Sequence, residues 1–401
     1  MAATSRLPAL LARWRLALLA LAARRRLRLP YAAAAHVLGV LAGLLTYGSA
    51  RAVELPEDRA DVMYHYYDGA GTKASGPAVL VRKSLADKVS LSGSYYVDMV
   101  SNASIDVVTS ASPYKETRRE ENLGLDYLYR DTLITLSGSN SNEPDYVAKG
   151  AGIDVSQEVF GGMTTVSMGF SRGWDKVGRK NEGFFDVARH WNYRLGATQV
   201  LTPRILLSAN FEAISDDGFL GSPYRVAYWL DGVVQENAPR TRTSRSAMLR
   251  AIADMGSHDS ARVQYRYFRD TWDVSSTTVE AGYSRYFGGE RWLGDAYLRY
   301  VTQERALFYF DNAIGPRPTY ISRNRQLGTY KSYGLGTRVA YTAKSVPGKY
   351  SIKLNGALER ARFNYADFTD IRTETNQGVI ATGKKFSYDQ TIIQVFVTLT
   401  Y

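Results

Sequence analysis

The sequence predicts an all-β protein: a single transmembrane, antiparallel, up-and-down β-barrel of about sixteen strands, preceded by a cleavable signal peptide. Three observations predict it. The chain closes on a strand in which Ile393, Val395, Val397, Leu399 and Tyr401 alternate with Gln394, Phe396, Thr398 and Thr400. Successive strand side chains point to opposite faces, so this segment carries one continuous apolar face. The same alternation recurs along the chain in segments of roughly ten residues, as membrane-crossing strands require. Finally, the connections switch between tight turns and longer polar loops, which suits a barrel whose two ends meet different surroundings.

Composition narrows the class before any strand is placed. A length of 401 residues is only a soft guide to domain number, but 29 Tyr, 34 Gly, no Cys and a mean hydropathy of −0.27 do not suit a helical membrane protein. That class needs several unbroken apolar runs of about 20 residues, whereas alternating strands dilute the apolar signal. Absence of Cys excludes a disulfide framework, thiolate chemistry and zinc-thiolate sites.

The long apolar run, Tyr31 to Tyr47, follows Arg24, Arg25, Arg26 and Arg28 and ends in Ala50-Arg51-Ala52. This order of basic region, apolar region and small-residue exit predicts a signal peptide over residues 1–52, with an extended Arg-rich leader, and a barrel over residues 53–401. The small-residue exit and the polar start that follows argue against a membrane anchor. Eight Arg and no acid lie in the leader, so its removal lowers the formal charge from +11 to +3. The basic balance therefore belongs mostly to the leader, and a nucleic-acid partner is not expected.

In chain order, alternating segments fall near 58–68, 76–84, 87–101, 119–130, 132–140, 146–158, 162–172, 187–201 and 203–215. They continue near 242–255, 260–272, 275–288, 290–302, 328–344, 348–364 and 387–401. Boundaries read this way shift by about 2–4 residues, which leaves roughly fourteen or eighteen strands open. Tight turns are expected at Ser84-Leu85-Ala86, Arg130-Asp131, Phe160-Gly161-Gly162, Thr202-Pro203, Met255-Gly256-Ser257, Phe287-Gly288-Gly289 and Ser345-Val346-Pro347-Gly348. Gly supplies positive φ there and Pro presets φ. Between them run longer connections: Ser101 to Arg118, Gly173 to Asp186, Ser215 to Thr241, Thr302 to Leu327 and Asn364 to Phe386. Both termini are expected on the turn side, the periplasmic one. A soluble sandwich or propeller would lack this two-sided bias in loop length and would bury both faces or repeat at a fixed blade period.

Four strands show their faces plainly. Val89, Leu91, Tyr95, Val97 and Met99 oppose Ser90, Ser92, Ser94 and Asp98; Leu123, Leu125, Tyr127 and Tyr129 oppose Gly124, Asp126 and Arg130. Ile205, Leu207, Ala209, Phe211 and Ala213 oppose Ser208, Asn210 and Glu212; Tyr350, Ile352, Leu354 and Leu358 oppose Ser351, Lys353, Asn355 and Glu359. In lipid the apolar faces need no second sheet to cover them. A charge on such a face costs about 2–4 kcal/mol at the midplane, so charges are confined to the other side. Tyr127, Tyr129, Trp191, Tyr193, Tyr265, Tyr267, Trp292 and Tyr300 suit interfacial girdles.

The lumen face is where function can be written as a pattern. Its expected acids are Asp98, Asp126, Glu212, Asp254, Glu280, Asp295 and Glu359; its expected bases are Arg194, Arg250, Arg262, Arg266, Arg299, Arg338 and Lys353. The two sets are equal in number, and a strongly selective pore would bias that balance, so weak or no charge selectivity is expected. The competing reading is that these groups pair across strands and brace a hydrated wall.

Catalytic and metal chemistry finds little footing. Beyond the leader the histidines are His65, His190 and His258, and no G-x-S-x-G, H-E-x-x-H or paired-ligand spacing is present. A serine triad assembled only in space stays open, since triads are defined by geometry. Ser141-Asn142-Glu143-Pro144-Asp145 and Ser215-Asp216-Asp217-Gly218 offer oxygen ligands without EF-hand spacing, which solvated turns also supply. The Tyr-rich stretch Phe219 to Arg225 is an equally weak ligand platform. No catalytic residue, metal or cofactor is assigned.

Leu55-Pro56-Glu57-Asp58-Arg59-Ala60-Asp61, Ser84 to Ser90, Tyr95 to Ser101, Ser112 to Glu116, Gly218 to Arg225 and Ile321 to Leu327, taken together, carry a resemblance. The set resembles an uncharacterised family of Gram-negative bacterial proteins, the domain-of-unknown-function family numbered three-five-seven-zero, over essentially the whole mature chain. The resemblance implies a barrel in the outer membrane and supplies no substrate and no catalytic residue. With it, the expected function is a porin-like channel or substrate transporter for a small solute, in contact with outer-membrane lipid. Its C-terminal strand, carrying Ile393, Val395, Val397, Leu399 and Tyr401, would be the signal read by the barrel-assembly machinery. A structural or assembly barrel working with a periplasmic or membrane partner, and an outer-membrane lipase or protease, are the alternatives.

Overall fold

A computed structural model describes residues 54–102, 114–179, 183–230, 232–370 and 383–401. The signal-peptide expectation lies outside the described residues. Sixteen antiparallel strands close into one barrel. They are β1 (Arg59–Gly69), β2 (Thr72–Ala86), β3 (Val89–Asn102), β4 (Tyr114–Tyr129), β5 (Thr132–Asn142), β6 (Tyr146–Val159), β7 (Thr164–Arg179), β8 (Phe184–Thr202) and β9 (Ile205–Gly218). After a small hairpin, β10 (Val226–Trp229) and β11 (Gly232–Gln235), the wall resumes with β12 (Thr241–Gly256), β13 (Asp259–Asp270), β14 (Ser275–Phe287) and β15 (Trp292–Glu304). β16 (Tyr330–Val346), β17 (Tyr350–Thr369) and β18 (Lys385–Thr400) complete it.

Each strand pairs with its chain neighbour, except that β9 pairs with β12 across the hairpin. Closure comes from β1 and β18, which run in register from Arg59↔Thr400 to Gly69↔Gln390. The Tyr401 amide adds a bond to the Asp58 carbonyl at 3.0 Å. The barrel wall itself therefore leaves no strand edge to template aggregation or to expose unpaired backbone to lipid.

The alternation seen in the sequence maps onto this wall. Leu91, Tyr95 and Met99 on β3, Leu123 and Tyr127 on β4, Leu249 on β12 and Val263 and Tyr265 on β13 are exposed, as are Leu298 on β15 and Val395 on β18. Ser90 and Asp126, on the opposite face, are buried. A water-soluble protein of this size would hide such residues, so an exposed apolar belt running round the barrel is the informative anomaly.

The two rims differ. On the side of the termini the turns are short and strained in the way hairpins need, with positive φ at Arg130, at Phe160-Gly161-Gly162, at Gly256-Ser257-His258 and at Gly288-Gly289. Four register shifts lie at the same rim, between Ser84 and Ala86, Val200 and Thr202, Asp254 and Gly256, and Thr342 and Lys344, and a fifth, between Asn364 and Thr369, lies at the loop end of β17. The first of these moves one expected turn: β2 continues through Ser84-Leu85-Ala86, and the chain reverses after it, before β3 starts at Val89.

A larger correction concerns Gly173 to Asp186, expected as a loop. β7 runs on to Arg179 and β8 begins at Phe184. Here the outward positions are Arg172, Trp174, Lys176 and Arg189, so the period of two persists while the apolar signal is interrupted by charge. This part of the sheet continues past the apolar belt, where charge on the outer face no longer costs hydrocarbon desolvation.

Candidate functional site

The wall of the lumen holds a network built on β13 to β17. Arg262 on β13 forms an ion pair with Asp295 on β15, its second bond to that carboxylate being 3.1 Å, and approaches Glu280 on β14 at 3.6 Å. Arg299 on β15 bonds Glu280 at 3.0 Å and Glu359 on β17 at 2.9 Å. Tyr297 donates its hydroxyl to Glu359, and the Arg338 guanidinium lies 5.4 Å from the Tyr297 ring.

Three of these links skip a strand, and glycine makes two of the skips possible. Arg262 passes over Gly282 on β14, where a Cβ would sit 2.4 Å from its Cζ; Tyr297 passes over Gly336 on β16, where a Cβ would sit 2.1 Å from its Cζ. Gly336→Ala is therefore expected to displace the Tyr297 ring and destabilise the barrel by about 1–3 kcal/mol, the usual cost of overpacking. Urea unfolding of the purified barrel in detergent measures it. Gly356→Ala on β17, where a Cβ would meet nothing within 4 Å, should leave the midpoint unchanged.

The remaining expected lumen charges are placed as follows. Asp98 meets His65 Nε2 at 2.7 Å, and Asp126 pairs with Arg82 and accepts from the Thr135 hydroxyl at 2.6 Å. Arg194 on β8 reaches across β7 to Asp154 on β6 at 2.8 Å. Arg250 bonds Gln264 at 2.9 Å, while Glu212 accepts from Asn192 at 2.9 Å and lies 3.7 Å from Arg266. Asp254 and Lys353 stand apart from the network, exposed near the turn-side rim; Asp254 accepts from the Gly256 amide at 2.9 Å. Opposite charges thus neutralise one another within one or two strand spacings, in a wall that stays polar.

Sequence reasoning missed a second cluster nearer the loop side. His190 on β8 is clamped between two carboxylates, Asp175 on β7 at 2.8 Å from Nε2 and Asp216 on β9 at 2.7 Å from Nδ1; Tyr146 donates to the same Asp175. The adjacent outward residues, Arg189 and Trp191, mark this height as the polar zone above the hydrocarbon. The two carboxylate bonds raise the imidazole to about 9. With both ring nitrogens donating, His190 has none left to accept a proton from a nucleophile, which removes it as a general base. A folded-state value above the ordinary one gives stabilisation that is complete below pH 6.5 and lost as pH rises through about 9. The difference in urea midpoint between wild type and His190→Ala should accordingly be large at pH 6 and vanish by pH 10.

The other two histidines are placed differently. His65 stacks on Tyr96 at 4.4 Å, and His258 sits in a turn 3.2 Å from Glu290. Of the two oxygen-rich stretches, Ser215 to Gly218 is divided: Asp216 turns inward to His190, while Asp217 is exposed. The other brings Glu143 and Asp145 together with Glu116, their carboxylate oxygens all within 4.8 Å. Burial raises the Glu143 carboxyl above the usual range, and the Tyr224 hydroxyl donates to Asp145. Those three acids are the residues that could hold a cation.

Packed chain lies at the loop-side mouth. The connection 305–329 folds against the inner face of β16 to β18, burying Phe308, Tyr309 and Leu327 with Tyr365, Phe368 and Phe386. Trp272, in the turn after β13, joins this core and packs edge-on against Phe308 at 5.0 Å. The β10–β11 hairpin docks on the same connection: Leu230 donates to the Ala313 carbonyl at 2.9 Å, Ala313 to Tyr228 at 2.9 Å, and Asn237 and Ile321 exchange bonds at 2.9 Å. At its centre Arg323, 4% exposed, bonds Asp311 at 2.9 Å and the Thr369 carbonyl at 2.7 Å and stacks 4.3 Å over Phe368. Tyr224, bonded to Asp145 in the turn after β5, carries the cap towards the far side of the rim.

Residues 184–359 match the family described as protein of unknown function (DUF3570). The match is shorter than the resemblance suggested. It takes in Gly218 to Arg225 and Ile321 to Leu327 but not the motifs before β8. It does span the β13–β17 network up to Glu359 and both cap connections. No curated protein matches the chain.

Among solved structures the chain is similar to the siderophore receptor PirA from Pseudomonas aeruginosa, at 9% identity and a TM-score of 0.44, over 86% of this chain and 63% of the receptor. It is also similar to a Pseudomonas aeruginosa FadL homologue, at 10% identity and 0.40, over 86% and 90%. The outer membrane protein OpdK of the same organism follows at 12% and 0.42, over 87% of this chain and all of the other. The chain thus spans less than two thirds of the receptor.

Proposed function

We propose that the protein is an outer-membrane channel for small solutes, weakly selective for charge, whose outer mouth is narrowed by the cap of connections 219–240 and 305–329. The observation that carries this reading is the pairing of a continuous exposed apolar belt with a closed wall of sixteen strands whose inner face is charged. A barrel of that size is wide enough for an aqueous lumen. Neutralised pairs such as Arg299 with Glu280 and Glu359 leave no excess sign to repel one class of ion. The outward row Ile393, Val395, Val397 and Leu399 fits a strand read by the barrel-assembly machinery.

The apolar packing in the mouth favours a second reading, a barrel closed at rest that works with a partner. Planar-bilayer recordings separate the two. The channel reading expects current steps with a cation-to-anion permeability ratio near unity. No steps from a correctly folded barrel, in wild type and in variants lacking the cap, would favour the partner reading.

A further inference from the structure

The outer face carries a feature that neither the lumen nor the cap explains. β7 presents Arg172, Trp174 and Lys176 outward, β8 presents Phe185, Arg189 and Trp191, and β6 presents Lys149. Register sets Lys149 beside Trp174, Trp174 beside Arg189, and Arg172 beside Trp191. At roughly 4.8 Å between strands, Lys149 and Arg189 flank the Trp174 ring across about 10 Å. The Arg172 guanidinium lies 5.0 Å from the Trp174 ring and 5.6 Å from the Trp191 ring, and Lys176 lies 6.0 Å from Phe185.

Among the described residues none of these four cations forms an ion pair. Asp217 stands in register with Arg189 without bonding it, and Glu121 lies two strands beyond Lys149. Elsewhere on the outer face several cations toward the loop side take acids: Lys73 takes Asp68 at 3.4 Å, Arg269 takes Asp273 at 3.1 Å, and Arg362 takes Asp389 at 3.2 Å. Among the described residues Arg245 and Lys331 are unpaired but stand singly, and Lys115 and Arg119 are unpaired on β4 alone. Four unpaired cations on three adjacent strands repel one another, and a multivalent anion relieves that repulsion. Below them the same strands turn apolar at Phe170, Tyr193 and Leu195.

We propose that this patch binds the phosphorylated headgroup of a lipid in the loop-side leaflet. Arg172 and Arg189 offer planar forks to phosphate oxygens and Lys149 and Lys176 act as point charges. The acyl chains lie along Phe170, Tyr193 and Leu195, and the Trp rings sit at the boundary between the two. The proposal rests on the membrane reading above.

The test reconstitutes the full-length barrel in phosphatidylcholine nanodiscs with a bisphosphorylated glycolipid or its dephosphorylated counterpart. Lipid retained after extraction is measured by native mass spectrometry. Wild type should retain the bisphosphorylated form at least about tenfold better, and K149Q/R172Q/K176Q/R189Q should lose that preference, while R245Q/K331Q keeps it. Heat-modifiable migration reports whether the quadruple variant has closed; if it has not, R172Q and R189Q are measured singly, each expected to weaken retention severalfold. Equal retention of both lipids, an unchanged quadruple or single variant, or displacement by millimolar inorganic phosphate as complete as by the lipid would overturn the proposal. A wild-type chain that never enters bilayers would instead sink the membrane reading beneath it.

Discussion

Arg323→Leu is expected to release the cap and raise single-channel conductance severalfold. The guanidinium is 4% exposed, and it holds Asp311 from the same connection to the Thr369 carbonyl at the end of β17. Its removal leaves the half-buried Asp311 without its main counter-charge, although Lys385 stays within 3.3 Å. Breaking a buried pair by deleting one partner costs about 3–5 kcal/mol. The loss falls on a loop rather than on the closed wall, so the cap should open before the barrel does. The wall network of Arg262, Arg299 and Glu359 shares only β17 with this contact, at Glu359 rather than at the Thr369 end, and should persist. Arg323→Lys, which keeps the charge but loses the planar fork, should give an intermediate conductance. Protease accessibility of residues 305–329 should rise in the same order. Unchanged conductance with a cleavable connection would mean that the cap does not limit passage.

The connection that Arg323 anchors illustrates what sequence could and could not reveal. Strands with an apolar outer face were legible: Val89 to Met99 and Ile205 to Ala213 kept a period of two, and sixteen segments became sixteen strands. Lumen charges were assigned by parity alone, on the argument that a charge beside an outward apolar residue points inward. Their partners were not. Arg262 finds Asp295 two strands away because Gly282 leaves room, and the sequence marks Gly282 only as a weak strand position. His190 lies 15 residues from Asp175 and 26 from Asp216, so only register brings the three together. The cap had no local period to read. Ile321-Ser322-Arg323 alternates like a strand, yet its contacts are with Asn237 and Thr369, set by packing of distant segments. Nor did the outer basic patch stand out, because charge at outward positions of β7 and β8 reads as a loop until the sheet is traced past the apolar belt.

Leu298→Arg should cost the folded barrel about 2–4 kcal/mol, the value for a cation at the middle of a lipid-facing strand. Leu298 lies at the midpoint of β15, is 64% exposed, and is flanked in register by Ala281 and Leu335. That exposure makes the expected effect a sharp discriminator. If water covered this face, an exposed Leu→Arg change would fall within about 0.5 kcal/mol of neutral, since no buried contact is lost. If a second protein layer covered it, Leu298 would be an interface residue and its replacement would alter oligomeric state. Only hydrocarbon makes the substitution costly in a monomeric barrel, and only when the barrel is embedded. Urea unfolding in phosphatidylcholine vesicles, repeated in a fully polar solubilising environment, therefore isolates the solvent from the fold. The adjacent inward substitution Arg299→Leu supplies the opposite control, because it weakens contacts to Glu280 and Glu359 whatever surrounds the barrel. A Leu298→Arg penalty that appears in vesicles alone, beside an Arg299→Leu penalty that appears in both, would mean that these strands face lipid on one side and a hydrated interior on the other.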